Sequence, residues 1–368
     1  MRFNSPKAMA TTLTFLLVAV AFSAIAMGGC ASNAPVEKKT SYAFFPPPPD
    51  EPRFQFLKSF SNEKELGEKK RNALAEHVLG KDEEEKYYEI IKPFGITVKD
   101  GKIYVCDTKQ HAVDVLDVAG KDFRLIGTDT TGKLNSPADI YIDQDGKKYI
   151  ADTGWHRVLI FDKDDQYYGA VGDPEKLKPV NVLVMGNDIL ISDYAGGKIE
   201  VWDKQTLKYK HCLGEPIGEK LVLFHPVGLA KDNKNNIYVV ESAAFRVSVF
   251  DEEGHKLRSF GEAGDSYGQF ARPKGIAVDR EGRIYVVDAA FSNVQVFDNE
   301  GKTLTFIGGP GGEPGQLIMP AEVGIDYDNI DLFKQYVHPA YDLKFLVLVT
   351  SQFGPKKISV YGYVEKKK

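Results

Sequence analysis

Cysteine is scarce, with 3 residues in 368 and no Cys-x-x-Cys pair. A disulfide-stapled mini-protein and a chain carrying its own covalent c-type haem are both excluded. Cys106 and Cys212 fall in different repeats of the chain and read as small buried hydrophobes. Positive charge is not in surplus either: 47 Lys and Arg stand against 52 Asp and Glu, a formal net charge of −5. Nothing in that balance neutralises a phosphate backbone, so no nucleic acid partner is expected. The seven histidines form no His-Glu-x-x-His pair, and Gly311-Gly312 is not followed by a helix that could cradle a phosphate. With 43% hydrophobic and 27% charged residues, the composition is that of a globular protein, which sets aside disorder and collagen.

What is present begins with an address. Arg2 and Lys7 precede an apolar run from Ala8 to Met27, which ends in Met27-Gly28-Gly29-Cys30. A basic start, an apolar middle and small residues at the cut make a secretory signal peptide over residues 1–29; the competing reading is an uncleaved anchor. The Gly-Gly-Cys ending resembles the lipobox of bacterial lipoproteins, with Met27 in place of the usual Leu. That resemblance implies cleavage before Cys30, an N-terminal lipid on Cys30, and a net charge that moves from −5 to −7 with the loss of Arg2 and Lys7. Ala31, where an Asp would mark inner-membrane retention, implies the outer membrane of a Gram-negative envelope. Several acyl chains hold such an anchor, each buried CH₂ contributing about 0.8 kcal/mol. Residues 30–50, ending in Pro46 to Pro49, read as an extended, semi-rigid tether.

A repeat dominates the rest, residues 51–368. Pro93, Pro137, Pro179, Pro226, Pro273 and Pro320 recur at steps of 44, 42, 47, 47 and 47 residues. Each opens a short apolar strand. A second strand follows and ends in an acid: Asp107, Asp152, Asp193, Glu241 or Asp288. A third closes ten residues later, and a fourth ends at Gly127, Gly172, Gly214, Gly261 or Gly308. Strands of this length, rich in Val, Ile, Tyr and Phe and separated by Asp-Gly-type turns, are antiparallel. Four strands at such a period are blades of a propeller. The fold class is therefore all-β, a six-bladed β-propeller. The sixth blade lacks a fourth strand, and Phe54 to Phe60 supplies it by closing the ring from the N-terminal side. Insertions break the repeat at 61–91, where Ala73, Leu74, His77, Val78 and Leu79 have helical spacing and are expected over the mouth face, and at 328–342.

Over residues 52 to 363 the chain resembles the NHL-repeat family, on Phe260-Gly261, Gly268-Gln269-Phe270, Gly275-Ile276-Ala277-Val278-Asp279 and Ile284-Tyr285-Val286-Val287-Asp288. Asp152-Thr153-Gly154-Trp155-His156-Arg157 matches the family's turn, with Trp155 replacing Asn. The resemblance implies the fold and leaves the activity open, because propellers host binding, hydrolase and lyase functions alike.

Three kinds of residue could carry chemistry. At the family's Gly position beside the channel mouth, Asp139, Asn181 and Glu322 stand in three blades. Such oxygen donors suit Ca²⁺ or Mg²⁺, and in residue type they resemble the channel metal of gluconolactonase- and paraoxonase-type propellers; the plainer reading is hydrated polar groups at a wet mouth. The acids closing the second strands repeat in five blades, which points to structure, with Asp152–Arg157 and Glu241–Arg246 as candidate ion pairs. Trp155, His156, Phe245 and Phe291 lie on turns of the mouth face and could bind protein. Only His225, just before Pro226, sits near the mouth among the histidines, too few for the several that propeller zinc lyases need.

The expected function is a non-enzymatic, membrane-tethered, monomeric scaffold that binds another envelope or secreted protein. Lipoproteins that look like this one accompany export or electron-transfer machinery, which brings in multihaem cytochromes as partners. The alternative is a divalent-metal-dependent hydrolase or lactonase working at Asp139, Asn181 and Glu322.

Overall fold

The computed structural model describes residues 42–67, 87–218 and 222–368. The signal peptide, Cys30, the tether as far as Ser41 and the helical pattern of residues 68–86 lie outside the described residues. Among those described, no helix is long and apolar enough to cross a membrane.

Six antiparallel sheets form the ring. Blade one is β3 (Pro93–Lys99), β4 (Lys102–Asp107), β5 (Ala112–Asp117) and β6 (Asp122–Ile126). Blade two is β7 (Pro137–Ile142), β8 (Lys148–Asp152), β9 (Arg157–Phe161) and β10 (Tyr167–Val171). Blade three is β11 (Pro179–Met185), β12 (Asp188–Asp193), β13 (Lys198–Asp203) and β14 (Tyr209–Cys212). Blade four is β15 (Pro226–Lys231), β16 (Ile237–Glu241), β17 (Arg246–Phe250) and β18 (Lys256–Phe260). Blade five is β19 (Pro273–Val278), β20 (Ile284–Asp288), β21 (Asn293–Phe297) and β22 (Thr303–Gly308). Blade six is β23 (Pro320–Asp326), β24 (Tyr341–Ser351) and β25 (Ile358–Lys366), completed by β2 (Phe54–Phe60) and β1 (Phe44–Phe45) from the other end of the chain. The six strand-opening prolines each stand at the first position of an inner strand, where the missing N–H costs no ladder bond.

The inner strands touch in the order β3, β7, β11, β15, β19, β23 and back to β3. Because side chains alternate along a strand, each blade offers an apolar set to both neighbours. The core is consequently six clusters, one in each gap. Tyr104, Cys106, Val113, Ile140 and Ile150 fill the gap between blades one and two. Tyr238, Val240, Ile276, Ile284 and Phe297 fill that between four and five. Cys106 is fully buried in this packing, as read from the sequence, and burial pushes its thiol well up, whereas Cys212, read the same way, is only half-buried at the end of outer strand β14.

Ring closure follows the expected pairing, with β2 antiparallel to β25 from Phe54 opposite Tyr363 to Phe60 opposite Ile358. The tether differs from expectation. Its last part is not a free spacer: Phe44 and Phe45 pair with Gln55 and Phe54 as a fifth strand. Apolar burial accounts for this, since the Phe45 ring sits edge-on to Tyr361 at 5.8 Å and Phe44 lies 5.4 Å from Tyr341. The prolines then turn the chain, so that the Arg53 N–H returns to the Phe45 carbonyl at 2.9 Å. The sheet of blade six thus includes Phe44–Phe45, ahead of residue 51.

The 328–342 insertion folds onto β2. A short helix, α1 (Ile330–Phe333), buries Phe333 against Phe60, and Gln55 donates to the Tyr336 carbonyl at 2.8 Å while accepting from the His338 N–H at 2.9 Å. The described ends of the 61–91 insertion pack on the outer strands of blade one, with Tyr88 stacked on Phe123 at 5.3 Å and Ile90 in the core.

Candidate functional site

The mouth face is built from two sets of loops: the turns between second and third strands, and the connections that precede each opening proline. Buried acids tie the two sets together. Asp107 accepts from the N–H groups of Ile91, Lys92, Lys109 and Gln110. Asp152 does the same for Asn135, Ser136, Gly154 and Trp155, and Asp288 for Ala271, Arg272, Ala290 and Phe291. Asp193 holds Lys178 and Gly196. Glu241 takes the Phe224 N–H, the Ser248 hydroxyl and, at 2.8 Å, the Arg246 guanidinium. Carboxylates with several backbone donors are fully engaged structural groups. The Glu241–Arg246 ion pair forms as expected. The Asp152–Arg157 pair does not, because the Asp152 carboxylate is already spent on four backbone donors and Arg157 stays exposed.

Below the mouth the three polar residues at the Gly position lie in the channel wall, and all three are buried. Asp139 accepts from the Val182 N–H of blade three at 3.0 Å and lies against Gly95 of blade one, where an added Cβ would come within 2.8 Å of its carboxylate. Glu322 leans over Gly275 of blade five in the same way, within 2.0 Å of where a Cβ would be. Glycine in these two inner strands therefore makes room for an acid of the next blade. Burial raises the Asp139 carboxyl to about 6. Burial, and then the charge of Asp139, pushes Glu322 well up. Asn181 is 4% exposed, and its Oδ1 has no hydrogen-bond partner. Two carboxyls that feel each other's charge and an unpartnered amide oxygen are, by donor type, the hard oxygen ligands that a divalent cation takes.

The four turn residues are not alike. Trp155 is 49% exposed, with its indole N–H on the Lys133 carbonyl at 2.8 Å. His156 is exposed and braced to the Leu177 carbonyl at 2.9 Å. Phe245 and Phe291 are half-buried, and Phe245 packs on the core between blades four and five, so neither stands free as Trp155 does. Side chains not singled out in the sequence complete the surface: Phe224 at 52% exposure, Phe353 at 50%, and the exposed Ile91 and Val222. Tyr194 stacks on His225 at 4.4 Å beside them. The signal was there in the offset from each proline, since Ile91 and Phe224 both stand two residues before one. In the equivalent register, Ile90, Leu134, Leu223, Phe270 and Leu317, three before, are buried core.

Two pockets among the described residues bear on this surface. One of about 430 Å³ lies on the outer side of blade two, between Trp155, Arg157, Tyr167 and Pro174. The other, of about 260 Å³, is at the mouth over blades one to three, lined by Lys92, Phe94, Thr108, Ser136, Ala138, Thr153 and Val180.

Comparison with known proteins bears on fold first. Residues 270–297, the opening of blade five, match the family model described as NHL repeat. A stretch of 138 residues, 35% of this chain, is 32% identical to Protein brain tumor of Drosophila melanogaster but spans only 13% of that protein. Similar solved structures include virginiamycin B lyase from Staphylococcus aureus, at 14% identity and a TM-score of 0.52, covering 74% of this chain and 96% of that one. A gluconolactonase from Xanthomonas campestris aligns at 14% identity and a TM-score of 0.53, covering 75% and 86%. At such identities the likeness is one of fold.

Proposed function

We propose that this six-bladed β-propeller, which carries an NHL repeat, is a non-enzymatic scaffold that holds another envelope protein on its mouth face, while a lipid on Cys30 ties it to the outer membrane. The observation that carries the reading is the set of apolar side chains exposed on that face, Ile91, Trp155, Val222, Phe224 and Phe353, three of which, Ile91, Trp155 and Phe224, donate their own backbone N–H to a buried acid. Preorganised loops lose little entropy on binding, and exposed aromatics are where binding energy concentrates. A multihaem cytochrome is the partner class we put first, and haem absorbance in the co-purified fraction tests it.

The scaffold reading predicts that Trp155→Ala, Phe224→Ala and Phe353→Ala together weaken partner capture by about a hundredfold or more, with unfolding temperature unchanged. Capture at wild-type strength by that variant would overturn it. Cys30→Ser should release the protein from membranes into the soluble fraction; a variant that stays membrane-bound contradicts the anchor.

A second reading is favoured by one observation, the unpartnered Oδ1 of buried Asn181, at the same inner-strand position in its blade as the Asp139 and Glu322 carboxyls in theirs. It is a divalent-metal-dependent hydrolase or lactonase in which these residues hold Ca²⁺ or Mg²⁺. The ion would polarise a carbonyl and acidify a bound water. Calcium titration by calorimetry tests it: one equivalent bound, lost in Asp139→Ala, supports the site, and no heat in the wild type removes it.

A further inference from the structure

The charge balance of the whole chain hides the pattern at the mouth. The residue before the opening proline is Lys92 in blade one, Lys178 in three, His225 in four and Arg272 in five, and Lys274 follows the proline of blade five. Lys274 reaches past blade six, with Nζ 5.0 Å above the Phe94 ring of blade one. Lys92 lies 5.8 Å above the Phe353 ring of blade six. Among the described residues, neither lysine nor Arg272 has a carboxylate within ion-pair distance. Burial, and then the fields of Arg272 and Lys92, lower the Lys274 ammonium to about 8, with Glu322 pulling the other way. Cations that repel one another beside aromatic faces form a site that an incoming anion relieves.

The adjoining pocket limits the size of the guest. At about 260 Å³ it is smaller than the cavities that enclose a whole cofactor or drug-sized ligand and large enough for one side chain. Phe94, Ala138 and Val180 make its wall apolar. The Thr108 and Thr153 hydroxyls are spent on the Lys92 and Ser136 carbonyls, which leaves the Ser136 hydroxyl free to donate.

We infer that this corner of the mouth is a carboxylate anchor for an acidic peptide segment of a partner protein. One Asp or Glu side chain enters the pocket against Lys92, with Lys274 over the ring of the lining Phe94 and the field of Arg272 behind it, and apolar residues on either side of it rest on Phe353 and Ile91. The inference rests on the protein-binding reading above and names the chemistry of the partner. An oligonucleotide is disfavoured, because one cation in a single-residue pocket and a second beside its wall match one or two charges, and the chain around them is net negative.

The test uses the mature protein and a fluorescein-labelled peptide, Glu-Phe-Glu-Glu-Phe-Glu, with Gln-Phe-Gln-Gln-Phe-Gln as its uncharged twin. Anisotropy should show the acidic peptide binding at least about tenfold more tightly than the twin. Lys92→Gln with Lys274→Gln should erase that difference, and Lys302→Gln, on the opposite face, should leave it intact. A second readout needs no affinity. At pH 8, Lys274 should be acylated ahead of other lysines by an amine-reactive ester, and the acidic peptide should protect it.

Equal binding of both peptides overturns the inference, as does displacement by octauridylate or inorganic phosphate at lower concentration than by unlabelled acidic peptide. If the aromatic triple variant loses its native partner while the lysine variant keeps it, the scaffold reading stands and the carboxylate anchor falls. If neither loses it, both fall.

Discussion

Asp288 accepts four backbone N–H groups from two loops that are far apart in sequence, and Asp107 and Asp152 repeat the arrangement. An acid required at the same place in five blades was legible as structural because catalysis rarely needs one group five times. Its partners were not, since backbone donors leave no trace in residue identity, and the expected Asp152–Arg157 pair lost to them. Removing such an acceptor leaves buried donors unmet, so Asp288→Ala should cost roughly 3 kcal/mol or more in a urea unfolding series. A loss within error of zero contradicts the account of the mouth loops. Asp139 behaves in the opposite sense. Its folded value, about 6, lies above the ordinary 3.8, so the folded state takes up the proton first. The stability it contributes is complete below pH 3.8 and is lost as pH rises through about 6. Asp139→Asn should therefore match the wild type near pH 3.5 and gain roughly 3 kcal/mol on it by pH 7 without added calcium. A gain that is independent of pH would show that the carboxyl is not held in its neutral form.

At the level of elements, the four-strand period and the closing strand were readable because each blade repeats the same alternation between opening proline, acid and terminal glycine. What escaped the sequence is the docking of β1. A run of prolines signals extension, and the two phenylalanines before it gave no period of their own; only their fit against Tyr361 and Tyr341 makes a strand of them. The same limit applies to Phe245, whose turn position suggested exposure but whose ring packs on the core between blades four and five, and Phe291 is likewise only half-exposed. As an edge strand followed at once by prolines, β1 also presents little free ladder to another sheet. Phe44→Ala with Phe45→Ala should lower stability by about 2 kcal/mol and speed amide exchange in β2 ahead of the other blades. Unchanged exchange in β2 would mean that β1 rests on the ring without supporting it.

For the whole molecule, the ring has two unlike faces. One carries short Asp-bearing turns such as Asp279 to Gly282, in which the Asp carboxylate caps its own loop. The other carries the exposed Trp155, Phe224 and Phe353, the Lys92–Phe353 and Lys274–Phe94 contacts and the smaller pocket. The proposed scaffold role requires the second face to be the one in use. It is tested most directly by placing a photo-cross-linking residue at Phe353 on the mouth or at Leu304 on the outer rim, positions with matched exposures of 50% and 52%, in cells that make the native protein. The account predicts one dominant protein adduct from position 353, abolished by Trp155→Ala with Phe224→Ala, and none from position 304. Equal adducts from both positions, or an adduct from the rim alone, would contradict it.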